Sequence, residues 1–194
     1  MNIDALTQDI TDLHHKTIPI WTESGVCCDY ESILKPIAEN HGFNFQLWLA
    51  EDRARREDMG HHFVYQAKRE IDQHNQQRNN RMEAIDEWLE QHITLATPEH
   101  CPIHSETPGM MIDRLSILSL KLYHMGLQTV RNTADDDHRQ LCTQKLRVLE
   151  AQHTQLTQCL QQLLHDLVSQ TRTFRRYHQF KMYNDPNLNP ELHD

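Results

Sequence analysis

The stretch SETPGMMIDRLSILSLKL, residues 105–122, decides the fold of this chain. Thr107 followed by Pro108 is a helix start: the hydroxyl can accept from the first free backbone N–H groups, and proline is tolerated at the first helical position. The residues that follow are apolar on nearly every side of a 3.6-residue period, so the helix is expected in the middle of the protein, reaching about Val130. Asp113, Arg114, Ser116 and Lys121 are set into it. Charges carried into a core need partners, because an unpaired buried ion costs several kcal/mol. A polar cluster inside a helical core is therefore expected, with Arg114 in a buried pair.

Outward from this helix, the chain reads as an all-α, single-domain bundle of about six helices over residues 1–194. Residues 1–28 form an N-terminal helix and loop, 29–169 the core bundle, and 170–194 a basic and aromatic tail packed back on it. The first helix covers about residues 2–15, with Pro19, Gly25 and Cys27–Cys28 in the loop after it. Asp29 can cap a second helix, which Asn40, His41 and Gly42 would end. A third runs from about Asn44 to Asp58 and a fourth from about Gly60 to His92. Thr133 or Asp135 opens the sixth, where Cys142, Leu146, Leu149, His153, Leu156, Leu160, Leu163 and Leu167 step by four and three along one seam. No convincing strand is present.

Composition narrows the function classes. The chain has 194 residues with a formal net charge of −9, which disfavours sequence-independent binding to nucleic acid. No window approaches the ~18 apolar residues that span a bilayer, and the N-terminus lacks the pattern of a secretory signal, so a cytoplasmic location is the expectation. The five cysteines are odd in number and match no zinc spacing; they read as free thiols. In the tail, Arg172, Arg175, Arg176 and Lys181 alternate with Phe174, Tyr177, Phe180 and Tyr183. Against an acidic background, this segment is expected to fold back over its own bundle.

The fourth helix carries the clearest constellation. Its inward stripe, from Val64 and Ala67 or Lys68 through Ile71 to Met82, Ile85 and Leu89, is interrupted halfway by Asn75 and Arg78, with Asp72 and Asn79 alongside. Two readings stay open. One is a network that sets helix register; the other is the floor of a pocket for something charged. In the second, Lys68, Arg78, Arg114 and Lys121 would grip phosphate or carboxylate with Asn75, Asn79 and Ser116, while Asp72, Glu83 and Asp113 would hold Mg²⁺ or move a proton. Glu83-Ala-Ile-Asp86 is also half of the Mg²⁺ motif of all-helical nucleotide pyrophosphohydrolases, although the second half, on a preceding helix, is wrongly spaced around Glu51 and Asp52. Glu150-Ala-Gln-His153 has the spacing of a di-iron ligand pair, but a core histidine is the better reading of His153.

Several of these stretches together resemble the bacterial domain of unknown function 4254. They are Leu47-Trp48-x-x-Glu51-Asp52, then Lys68-x-x-x-Asp72-x-x-Asn75-x-x-Arg78-Asn79, then Glu106-Thr-Pro-Gly-x-x-x-Asp113-Arg-Leu-Ser-Ile-Leu, and Phe180-Lys-Met-Tyr-Asn-Asp-Pro-x-Leu-Asn189-Pro190. The likeness covers about residues 30–190 and adds Lys181, Tyr183 and Asn184 to the candidate ligand contacts. It implies an all-helical protein associated with lipopolysaccharide or other surface-sugar assembly, and hence an anionic ligand such as a nucleotide sugar or phosphosugar. Two other functions stay beside it: a non-catalytic interaction protein, homodimeric or scaffolding, whose polar core is structural, and the Mg²⁺-dependent pyrophosphohydrolase.

Overall fold

The computed structural model describes residues 1–178, 180 and 186–192. Among these, five α-helices make the body: α1 (Ile3–Ser24), α2 (Leu34–Arg53), α3 (His61–His92), α4 (Pro108–Thr129) and α5 (Asp136–Val168). The count is five rather than about six because α2 runs unbroken through Asn40, His41 and Gly42. Those residues face inward and are buried, so tertiary packing overrides the local stop signal. Gly42 marks a close approach: a Cβ there would lie 2.9 Å from Val26 Cγ1. α1 likewise continues through Pro19 to Ser24, because Thr17, Ile18 and Trp21 extend the buried face begun by Leu6, Ile10 and Leu13. That burial offsets the missing backbone donor.

The expected starts of α4 and α5 hold. Thr107 Oγ1 accepts from Met110 N at 3.2 Å and Asp135 Oδ1 from His138 N at 2.7 Å. The seam of α5 is inward along its whole length and best buried at Leu160, Leu163 and Leu167. α4, however, is buried on one broad face and only as far as Leu120; from Lys121 onward none of its residues is buried. Its apolar character past that point belongs to a surface. The main core joins Ile10, Ile37, Ile85, Leu89, Ile112, Leu115, Leu160 and Leu164 from all five helices.

Two pairs of extended residues, absent from the sequence reading, tie the α3–α4 connection to the tail. Strands β1 (Ile103–His104) and β2 (Thr173–Phe174) run parallel, with Ile103 opposite Thr173. Two residues are too few to show an alternating pattern. β2 buries Phe174 in the main core. Beyond it Arg176 lies 3.7 Å from Glu87 and 3.6 Å from Glu90, and His178 Nδ1 is 3.0 Å from Glu83. The tail thus folds back on the acidic face of α3 as far as His178, in the direction its charge suggested. Lys181, Tyr183 and Asn184 lie outside the described residues. The cysteines are free; Cys142 is buried on its seam, whereas Cys159 is exposed.

Candidate functional site: an inner network and an outer trough

The polar cluster forms at the meeting of α2 and α4, one turn inside the surface. Asp113 Oδ1 accepts from Asn40 Nδ2 at 3.0 Å and from Asn44 Nδ2 at 2.9 Å. Arg78 Nε, reaching across from α3, lies 3.5 Å from the same oxygen. Asn44 Nδ2 also donates to Ser116 Oγ at 2.9 Å. Ser116 Oγ and His41 Nδ1 are 2.7 Å apart, and His41 Nε2 lies 3.1 Å from the His14 carbonyl. A carbonyl only accepts, so Nε2 carries the proton, and Nδ1 accepts from the serine. Burial holds this ring neutral by pushing its pKa down to about 3. His14, wholly buried at 4.6 Å from the His41 ring, is pushed well below the usual range for the same reason.

Asn40, Asn44, Asp113, Ser116 and His41 bond one another, whereas Arg78 Nε and both His14 ring nitrogens are buried beside them with no hydrogen-bond partner. Ser116, His41 and Asn40 are sealed from solvent, so the serine cannot meet a substrate despite its histidine. The network fixes the register of α2 against α4, a known use of buried polar groups. The sequence residues behind it were half seen. Asp113, Ser116 and Arg78 were singled out, whereas Asn40, His41 and Asn44 were assigned to a helix end and the start of the next helix. Their signal was the 3–4 spacing of Ile33, Ile37, His41, Phe45 and Trp48, which passes through Gly42 without a break.

The other candidates do not converge there. Arg114 is exposed and pairs with Glu106, Nη1 reaching both carboxylate oxygens at 2.7 Å. The expected buried pair is therefore corrected: Arg114 sits one residue round the helix from Asp113 and faces out. Lys68 and Lys121 are exposed; Asp72 pairs with Arg69 at 3.6 Å on the surface. Asn75 is half-buried and Asn79 buried on α3. Glu83 meets the tail at His178. Asp86 is spent on the start of α4, accepting from Gly109 N at 2.7 Å, and burial raises its carboxyl to about 7. Asp72, Glu83 and Asp113 therefore occupy three separate places and cannot share one Mg²⁺. Among the described residues no group of three or more His, Cys, Asp and Glu is arranged to hold a metal ion, so the Glu83–Asp86 half-motif is not completed into a metal site there.

What the structure does assemble is a trough on the outer face of α4. Arg114, Ile117, Lys121, His124, Met125 and Gln128 follow one another at helical spacing, and three adjoining cavities open along them. One of about 310 Å³ is lined by Asn44, Arg55, Arg78 and Ile117. A second of about 650 Å³ is lined by Trp48, Lys121, His124, Lys145, Val148 and Leu149. A third, also about 650 Å³, is lined by His104, Arg114, Lys121, Gln152, Gln155 and Cys159. The first and second share Trp48 and Asp52, the second and third share Lys121, and the first and third share Ile117. Trp48 lies flat on His124, ring centres 4.3 Å apart. Arg78 is where the two systems touch: its Nε faces Asp113, while its side chain, 27% exposed, lines the smallest cavity. His124 and Lys145 are not singled out by the sequence, because only the register of α4 on α5 brings them together.

Fold and site thus define a mostly helical protein with a buried polar centre and an open trough whose walls carry Arg55, Arg78, Arg114, Lys121 and Lys145 alongside Glu51, Asp52 and Glu106. The family model described as "Protein of unknown function (DUF4254)" matches residues 34–176, and the chain belongs to that family. No curated protein and no solved structure matches it. Among the described residues no helix is long and apolar enough to cross a membrane.

Proposed function

We propose that the trough binds an anionic small molecule such as a nucleotide sugar or phosphosugar, in a cytoplasmic protein serving lipopolysaccharide or surface-polysaccharide biosynthesis. The observation that carries this is the continuity of the three cavities along α4, with Arg78, Lys121, Lys145 and Arg114 distributed through their walls. Each cavity lies in the size range of small-molecule sites. Cations on a concave, partly apolar surface attract and orient phosphate more strongly than the same cations on a flat one. The inner network is structural in this reading, and Asp113 and Ser116 act through helix placement. Thermal melts with a panel of nucleotide sugars and sugar phosphates test it. Ligands at 100 times their Kd should stabilise by roughly 2.7 kcal/mol, and Lys121→Glu should abolish the shift. A flat panel would remove the proposal.

A second reading, a self-associating interaction protein, is favoured by one observation. Leu127 and Val130 at the end of α4, and Leu141 and Val148 on α5, are large apolar side chains left exposed. Sedimentation of the full chain tests it: a monomer at ~100 µM, well above the concentration at which micromolar dimers form, would discard it.

A further inference from the structure

The compartments of the trough differ in chemistry, and their order has a consequence for the ligand. Around Trp48 the wall sets Met125, Val148 and Leu149 beside the Trp48–His124 ring pair, whose planes are 3° apart, with Asp52, Gln128 and Lys145 at its edge. A wall that sets aromatic rings and apolar side chains beside polar ones suits a flat heterocycle, which has both a π-face and ring heteroatoms, better than an alkyl chain, which has neither. Toward Glu106 the wall turns polar. Gln152 and Gln155 offer amide donors and acceptors, beside the Arg114–Glu106 pair, whose remaining guanidinium N–H groups can donate. Amides can donate and accept at once, which is what neighbouring hydroxyl groups need. Between the two, and common to both, stands Lys121. Its ammonium is a point charge suited to a phosphate oxygen.

We infer that the trough takes a three-part ligand in a fixed order: a nucleobase in the Trp48–His124 compartment, a phosphate or pyrophosphate at Lys121, and a polyhydroxylated sugar among Gln152, Gln155 and Arg114. This rests on the reading of the trough as a ligand site and adds to it the class and direction of the ligand. A sugar phosphate alone fills only the polar end and the centre. A nucleoside diphosphate alone fills the apolar end and the centre. Only a nucleoside diphosphate sugar engages all three, so its binding should exceed that of either fragment.

Calorimetry on the full chain separates these parts. The probes are the diphosphates of adenosine, guanosine, cytidine and uridine, their glucose adducts, glucose 1-phosphate and farnesyl phosphate. Val148 and Gln155 are exposed, so Val148→Glu and Gln155→Leu should fold, as circular dichroism will verify. Val148→Glu places an acid in the base compartment. It should weaken the preferred nucleoside diphosphate and its glucose adduct by about tenfold or more, and leave glucose 1-phosphate within about twofold. Gln155→Leu should weaken the adduct and glucose 1-phosphate by about three- to tenfold and leave the nucleoside diphosphate unchanged. Lys121→Ala should weaken every probe. The order is overturned if the two outer variants exchange effects or act alike on all probes, and the base assignment fails if farnesyl phosphate outcompetes the nucleotides. If no probe binds at millimolar concentration, the ligand-site reading falls as well. Binding with the wrong pattern overturns only the order.

Discussion

Two glycines of α4 should respond to the same substitution with opposite sign. Gly109 lies in the first turn, where α3 crosses. An alanine Cβ there would be driven into the Met82 carbonyl oxygen and would sit 2.9 Å from Asp86 Oδ1. Neither neighbour can yield cheaply: one is helix backbone, and the other holds the Gly109 N–H at 2.7 Å. The helices must therefore part, straining a packed interface at about 1–3 kcal/mol and stretching a hydrogen bond to a buried acid worth about 1.5–3 kcal/mol if that acid is ionised. Alanine's helix propensity returns at most about 1 kcal/mol. The net expectation for Gly109→Ala is a loss of roughly 2–4 kcal/mol. Gly126, in the same helix, has nothing within 4 Å of its would-be Cβ, so Gly126→Ala should gain roughly 0.5–1 kcal/mol. Urea titrations followed by circular dichroism measure both. Equal signs, or a Gly109→Ala midpoint equal to wild type, would refute the close crossing of α3 and α4.

Three further outcomes follow from the same contacts. Removing the Asp113 carboxylate with Asp113→Ala leaves Asn40, Asn44 and Arg78 facing an apolar gap and should cost roughly 3–5 kcal/mol in a urea titration; a cost under ~1 kcal/mol would mean the network is not closed. Arg114→Ala, losing an exposed pair with Glu106, should change stability by less than about 1 kcal/mol in the same assay. Stability should also depend on pH in two directions. His14, His41 and His153 are held neutral by burial, the last at a pKa of about 4. The unfolded chain takes up protons the fold refuses, so stability falls as pH drops below about 6.5, by several kcal/mol in all. Asp86, raised to about 7, works oppositely: the fold keeps a proton that the unfolded chain has lost, so stability declines as pH rises from 4 to 7. Asp86→Asn should remove that decline and leave the acid limb. Urea midpoints of Asp86→Asn that stay flat between pH 4 and pH 8 would contradict the histidine assignments, and a wild-type profile parallel to that of Asp86→Asn would contradict the Asp86 one.

The helices that begin at Thr107 and Asp135 were legible because their caps and periodicity agree, each level supporting the next. The break at Asn40–Gly42 and the loop at Pro19 were misread for one reason. A stop signal is a local preference worth about 1–3 kcal/mol, and the packing of His41, Phe45, Ile18 and Trp21 outweighs it. Asp113 and Ser116 could be found because polar groups on an apolar face announce a partner. Arg114 and Lys121 were placed inside by the same rule and lie outside, since an all-round apolar sequence can cover a core on one side and line a trough on the other. Nothing local says which side of α4 is which. That is set by α5, whose seam meets α4 with its residues nearest 145–159 forming the opposite bank.

The inner network and the outer trough are two faces of one helix, and this bears on how binding can be efficient. A trough walled by three separate helices loses affinity whenever they slide, since each state that opens or closes the cavities competes with the bound one. Asn40 and Asn44 hold α2 to α4 through Asp113, and Arg78 brings α3 to the same carboxylate. On the far side His153 Nε2 meets Ser119 Oγ at 3.2 Å, joining α5 to α4. Each helix that contributes a wall is thus fixed to α4 by a buried polar contact, of the kind that permits one register and penalises its neighbours. Apolar packing alone tolerates small slides, because dispersion has no direction; a shared carboxylate does not. The polar interruption of the core therefore has a use that needs no buried chemistry. It holds the helix segments that carry Trp48, Arg78, Lys121 and Lys145 in one register, so that under the proposed function binding energy would not be spent on aligning them.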